Sequence, residues 1–195
     1  MKSADHPKIS CIICAYNEAP RIKNVLSVVS TFKGFDEVIV IDDGSSDETY
    51  DVASQFPVTV LQHEKNKGKA AAMHTGFKKS RGDIIVLLDS DLTGLTHDNL
   101  TSLLEPTLHE KCAIFVLVAN TWPIFHIEGV DAWTGERAFP RKILEDVFAN
   151  PDVVQRTYSI ECYINQSILK NNLPIYSISW KNVKKKKKKD KEEGR

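Results

Sequence analysis

Ile84-Ile85-Val86-Leu87-Leu88-Asp89-Ser90-Asp91 is the stretch that decides the fold. Five apolar residues run without polar alternation. Such a run suits a strand buried on both faces, the kind found inside a parallel sheet. It then breaks into two carboxylates at i and i+2, which face the same side of an extended segment. Together they could hold a hard divalent cation through oxygen ligands. An isolated acidic pair of this spacing is also a common solvated turn after a strand.

Working outward, the same rhythm repeats. Apolar runs at Ile9–Cys14, Glu37–Ile41, Val58–Leu61 and Cys112–Ala119 read as further strands. Between them lie helical patterns. Ala19–Phe32 carries Ile22, Val25, Leu26 and Val29 at helical spacing. Ser45-Ser46-Asp47-Glu48 has the form of a capping box opening a helix towards Gln55. Gly68–Ser80 is rich in Ala, and Thr96–His109 follows strand four. Strand–helix alternation of this kind predicts an α/β, Rossmann-like domain, with a mostly parallel central sheet and helices on both faces. Ligands of such sheets bind beyond the carboxyl ends of the strands. Polar residues gather there: Tyr16-Asn17-Glu18, Asp42-Asp43-Gly44-Ser45 and Asp89-Ser90-Asp91.

Beyond residue 120 the alternation lapses. Helices are expected at about 140–149 and 156–171, then a short strand at Ile175–Trp180. We expect one domain over 1–180, with a ligand-binding half at 8–105 and a second half at 106–180. Residues 181–195 are almost wholly charged and read as a disordered tail.

The 195 residues carry 26 Lys plus Arg against 26 Asp plus Glu, with 42% apolar residues. This balance excludes a globally basic nucleic-acid binder and a collagen-like or membrane-embedded chain. No run approaches the roughly 20 apolar residues of a membrane span. The first eight residues are polar, with no apolar signal core behind them. Cys11 and Cys14 form a CxxC, but on a strand they point to opposite faces and cannot share a metal. Reduced thiols suit a cytoplasmic protein.

Two further segments carry chemistry. Asp42, at the end of Val38–Ile41, could accept hydrogen bonds from a ribose or base, while Ser45 caps the next helix. Asn66-Lys67-Gly68-Lys69 opens a helix whose N-terminus attracts anions, with two lysines nearby.

Taken in order, Ile9 to Glu18, Val38 to Asp47, Asn66 to Lys69 and Asp83 to Asp91 resemble the family-2 glycosyltransferases of the glycosyltransferase-A fold. The likeness covers residues 8–105 most strongly. It implies a nucleotide-sugar donor and an Mg²⁺ or Mn²⁺ ion. Ala15, Tyr16, Asn17, Glu18 and Asp42 would hold the nucleoside. Lys69 would lie near the base, ribose or diphosphate, with Ser90 at the donor. Asp89 would reach the ribose or the metal, and Asp91 would ligate the metal. Trp133 to Arg141 looks like the Gly-x-Arg-Ala-Phe segment of polyprenyl-phosphate sugar synthases and glucosyl-phosphoglycerate synthases. Arg137 and Arg141, four apart, could clamp a phosphate of the donor or of a still unknown acceptor. Glu161 would act as general base on the acceptor, or brace Arg137.

Many such enzymes add a metal ligand from a C-terminal histidine. This chain has no His after His126; Asn182-Val183-Lys184 stands there instead. The lysine run Lys184–Lys189 reads as a solvated tail, or as peripheral contact with an anionic membrane; nucleic acid is not expected, because no aromatics interleave. Two rival functions stand beside a glycosyltransferase. A non-catalytic nucleotide-sugar-binding module fits the same motifs. A sugar nucleotidyltransferase fits less well, since Ala15–Arg21 contains no glycine.

Overall fold

A computed structural model of the chain describes residues 6–118, 126–127, 130–131, 134–155 and 160–185. Trp133, Tyr158, Ser159 and the tail from 186, including Lys186–Lys189, lie outside the described residues.

The elements run β1 (Ile9–Ala15), α1 (Ala19–Val29), β2 (Glu37–Asp42), α2 (Thr49–Ala53), β3 (Thr59–Gln62), α3 (Lys69–Lys79), β4 (Ile84–Asp89), β5 (Leu92–Thr93), α4 (His97–His109), β6 (Ala113–Val118), β7 (His126–Ile127), β8 (Val130–Asp131), β9 (Arg137–Pro140), α5 (Lys142–Phe148), α6 (Asp152–Gln155), α7 (Ile160–Lys170), β10 (Ile175–Trp180) and β11 (Lys184–Lys185). Among the described residues seven strands form the main sheet, in the order β10-β6-β9-β4-β1-β2-β3. All neighbours are parallel except β9, which runs antiparallel between β4 and β6.

The uninterrupted apolar runs explain the sheet. Cys11, Ile13, Val86, Leu88, Ile114 and Val116 face one core. Ile12, Ile85, Leu87, Ala113 and Phe115 face the other. Cys11 and Cys14 therefore do point apart, and both are free thiols. On the first face, α1 buries Ile22, Val25, Leu26 and Val29, its whole apolar stripe. Each such side chain contributes roughly 1.5–3 kcal/mol when taken out of water. Pro20 sits in the first turn of α1, where its missing N–H costs nothing. On the second face α3 lies very close to the sheet. A methyl at Gly76 would collide with Ile41 and Ile12, so only glycine admits this approach.

Several expectations change. Ser45 does not cap α2. Its hydroxyl is taken by Asp42, and Asp47 Oδ1 accepts the Thr49 N–H at 3.0 Å instead. The capping box lies at α4, where Thr96 and Asn99 bond each other's backbone N–H groups. Residues 137–140, where no strand was expected, form β9. Ordered chain runs past 180: Lys184 and Lys185 pair with Thr93 and Leu92. The segment is fastened by Asn182, whose Nδ2 donates to Gly94 O at 2.7 Å and Asn99 Oδ1 at 3.0 Å. Among the described residues no helix is long and apolar enough to cross a membrane.

Candidate donor cleft

The strand register brings the polar loops to one edge. Ala15 pairs with Asp42, and Cys14 with Asp89, so β1, β2 and β4 end side by side. Above them opens a cleft of about 300 Å³, lined by Tyr16, Glu18, Asp43, Lys69, Ser90 and Asp91 among others. Of the expected donor residues, Ala15, Tyr16, Glu18, Lys69, Asp89, Ser90 and Asp91 line it.

The first loop is built tightly. Asn17 takes a left-handed backbone, φ 56°. Its Oδ1 accepts the Ser46 N–H at 2.9 Å, and its own N–H donates to Ser45 Oγ at 2.9 Å. Glu18 pairs with Arg21, and its N–H donates to Thr49 Oγ1 at 2.8 Å. Tyr16 is left 45% exposed at the rim. A flat ring held there can stack on a base.

Asp42 is fully buried and does not line the cleft. Its Oδ1 accepts the Ser45 N–H at 3.0 Å and its Oδ2 accepts Gln62 Nε2 at 2.8 Å. It therefore shapes the wall rather than facing the cavity. Its neighbour Asp43 faces inward. Asp43 accepts the N–H groups of Lys67 and Gly68 at 3.0 and 2.8 Å, and meets His63 Nδ1 at 2.7 Å. This carboxylate thus engages the N–H groups of the two residues that precede α3. Only alternation of side chains along β2 could have singled out Asp43, and the adjacent Asp42 hid that signal.

The floor is a network of charges. Lys69 Nζ lies 3.0 Å from Asp89 Oδ1 and 2.8 Å from Glu161 Oε1. Lys185 Nζ lies 2.6 Å from Asp89 Oδ2 and 2.8 Å from Glu136 Oε2. Burial opposes each charge, but the partners outweigh it at Asp89, whose carboxyl is held far below its ordinary range by Lys69 and Lys185. The same balance lowers Glu161, through Lys69 and Arg137, and raises Lys69 and Lys185. Glu136 goes the other way: burial and the nearby Asp89 raise it despite Lys185. Cys14 also lines the cleft, and burial pushes its thiol up to about 12. Gly135 packs against this network, and a methyl there would overlap both Asp89 oxygens.

Arg137 and Arg141 do not form a phosphate clamp. Along β9 they point to opposite ends of the sheet. Arg137, opposite Leu87, is fully buried and stacks on Phe115 at 4.7 Å. It donates to Thr134 O at 2.7 Å and Asn165 Oδ1 at 2.6 Å. Burial pulls its pKa down to about 10. Arg141 lies at the far edge, over the Phe77 ring at 4.4 Å, and donates to Ser80 Oγ at 3.0 Å. Glu161's carboxylate meets Lys69; Arg137 approaches its main-chain carbonyl, at 3.5 Å. Glu136 and Lys185 were not singled out from the sequence. A Glu between Gly and Arg, and one lysine among six, carry no periodic signal.

Among the described residues no three Asp, Glu, His or Cys side chains converge on a point that could hold a metal. Asp91, only 7% exposed, and Asp89 offer hard carboxylate oxygens on the cleft wall. One or two carboxylates, completed by water and substrate phosphates, are the usual ligand set for Mg²⁺. The residues therefore fit a metal–diphosphate unit better than a metal held by protein alone.

The chain matches the model of glycosyl transferase family 2 over residues 10–173. It is 37% identical over 91 residues to a dolichol-phosphate mannosyltransferase of Pyrococcus furiosus, covering 44% of this chain and 26% of that one. It is 31% identical over 123 residues to a UDP-N-acetylglucosamine–dolichyl-phosphate N-acetylglucosaminyltransferase of Methanococcus voltae, covering 53% and 48%. These matches thus span between about a quarter and a half of the relatives' length. Among solved structures, glucosyl-3-phosphoglycerate synthase of Mycobacterium tuberculosis, crystallised with Mn²⁺, UDP-glucose and phosphoglyceric acid, superposes with TM-score 0.79. That match has 22% identity and covers 96% of this chain and 75% of that one. It shows a shared fold.

Proposed function

Because the chain belongs to glycosyl transferase family 2, we propose that it transfers a sugar from a nucleotide-sugar donor bound in this cleft, with a divalent cation. The observation that carries the reading is the meeting of Tyr16, Lys69 and Asp89-Ser90-Asp91 around one cavity at the sheet's carboxyl edge. Relatives named for dolichol-phosphate acceptors, and a fold neighbour crystallised with phosphoglyceric acid, favour a phosphate-bearing acceptor.

Each residue has a part. Tyr16 stacks on the base at the rim. Asn17, Glu18 and the buried Asp42 hold that loop in shape through Ser45, Ser46 and Thr49. Asp91 and Asp89 would hold Mg²⁺ or Mn²⁺, with Ser90 between them on the donor side. When bound, the cation would neutralise charge on the departing nucleoside diphosphate. Lys69 adds positive charge beside Asp89, aimed by Asp89 and Glu161. Glu161, held ionised by Lys69, then orients that lysine and is a weak base; Arg137 braces the start of α7 from below.

The proposal is tested by a thermal-shift screen of nucleoside diphosphates and their sugars, with and without Mn²⁺, followed by donor hydrolysis. Stabilisation by one diphosphate series that needs Mn²⁺, and hydrolysis of its sugar, are expected. Binding without hydrolysis or transfer would make the chain a nucleotide-sugar-binding module instead.

A further inference from the structure

Lys185 reaches the donor cleft from outside the elements that build it. It stands opposite Leu92 in the β11–β5 pair, one residue beyond Asp91. Its ammonium bridges Asp89 Oδ2 at 2.6 Å and Glu136 Oε2 at 2.8 Å. Glu136 is fully buried, and the Lys185 side chain is only 17% exposed. The approach is built, not incidental. Val183 is fully buried in the core. Asn182 is clasped by Gly94 and Asn99, and Gly94, with φ +79°, lies against Asn182 O where no larger residue fits. A cation is thereby delivered to one oxygen of Asp89 while Lys69 occupies the other.

We propose that Lys185 is a positioning residue that acts as a resident cation, competing with the divalent ion for Asp89 and so setting how tightly the cleft holds metal. The inference rests on the reading of Asp89-Ser90-Asp91 as the seat of a metal–diphosphate unit. A divalent ion on Asp89 would share a partly desolvated carboxylate with the Lys185 ammonium, where like charges repel strongly. Asp89 also has less negative charge to offer while two ammonium groups share it. Withdrawing Lys185 frees Oδ2 and removes the repulsion.

The test is a titration of the full chain with Mn²⁺, alone and in the presence of UDP, free metal being followed by electron paramagnetic resonance. Lys185→Gln should bind Mn²⁺ at least about tenfold more tightly than the parent, and Lys185→Arg should bind like the parent. Because Lys185→Gln strands a buried carboxylate, the double variant Lys185→Gln/Glu136→Gln removes both charges and guards against misfolding. It too should bind more tightly. Equal or weaker Mn²⁺ binding by the folded variants, with the parent binding normally, overturns the role of Lys185. If no protein in the set takes up Mn²⁺, with or without UDP, the metal seat itself is wrong and the inference falls with it.

Discussion

Lys69, at the start of α3, and Glu161, at the start of α7, are joined by a 2.8 Å ion pair across the mouth of the second core. The contact ties α3 to α7, far apart in the chain, at the cleft. Lys69 remains 38% exposed, so water screens part of the attraction.

Glu161→Gln keeps the side-chain shape and removes the charge. UDP binding should weaken about threefold to tenfold, the scale of a partly exposed pair. Turnover with saturating donor should change less. A fall in turnover of roughly 10²–10⁴ with unchanged affinity would instead assign Glu161 as the general base.

The same pair has a pH signature. Lys69 holds the Glu161 carboxyl below its ordinary value. Its stabilisation is therefore present above about pH 4 and lost as the pH falls further. The difference in Tm between the parent and Glu161→Gln should be largest near neutrality and shrink towards pH 3. A constant difference across that range would show that the charge is not responsible.

Gly135→Ala places a methyl against both oxygens of Asp89. The carboxylate cannot move without breaking its bonds to Lys69 and Lys185. We expect a loss of about 1–3 kcal/mol in denaturant unfolding, as for other overpacked sites. Mn²⁺-dependent UDP binding should fall at least about tenfold. Unchanged nucleotide affinity would mean that Asp89 is not used by the donor.

Asn17→Ala should destabilise by about 1–3 kcal/mol, because alanine is strained at φ 56° and loses the bond to Ser46. Asn17→Gly should cost less, since only the hydrogen bond is lost. The order of the two Tm values checks the assignment; Gly worse than Ala contradicts it.

Cys14 lines the cleft yet is a poor nucleophile, its thiol raised to about 12 by burial. At pH 8, mass mapping after iodoacetamide should find Cys14 labelled far more slowly than a free thiol. Rapid labelling would show the cleft floor to be more open to water than this structure has it.

What the sequence disclosed follows from the range of the interactions involved. Ile84–Leu88 and Ile9–Cys14 announce a parallel sheet because burial on both faces leaves an unbroken apolar run. β9 is different: Arg137-Ala138-Phe139-Pro140 has four residues, a charge and a proline, and is a strand only because β4 and β6 flank it. Lys184 and Lys185 read as solvated until Leu92 and Thr93 supply backbone partners. Asp89 and Asp91 stood out by local spacing alone. The partners of Asp89, at positions 69 and 185, are set by the tertiary fold and leave no local trace. Arg137 and Arg141 misled for the same reason: helical spacing would have joined them, whereas extended backbone sends them to opposite edges.

The central claim is that Asp89-Ser90-Asp91 seats a metal-linked nucleoside diphosphate. Calorimetric titration of UDP, with GDP alongside, into the parent and Asp91→Ala, each in Mn²⁺ and in EDTA, tests it most directly. The parent should bind in Mn²⁺ and lose at least about tenfold in EDTA, and a folded Asp91→Ala should gain nothing from Mn²⁺. Equal affinity of the parent and Asp91→Ala in Mn²⁺ would contradict it.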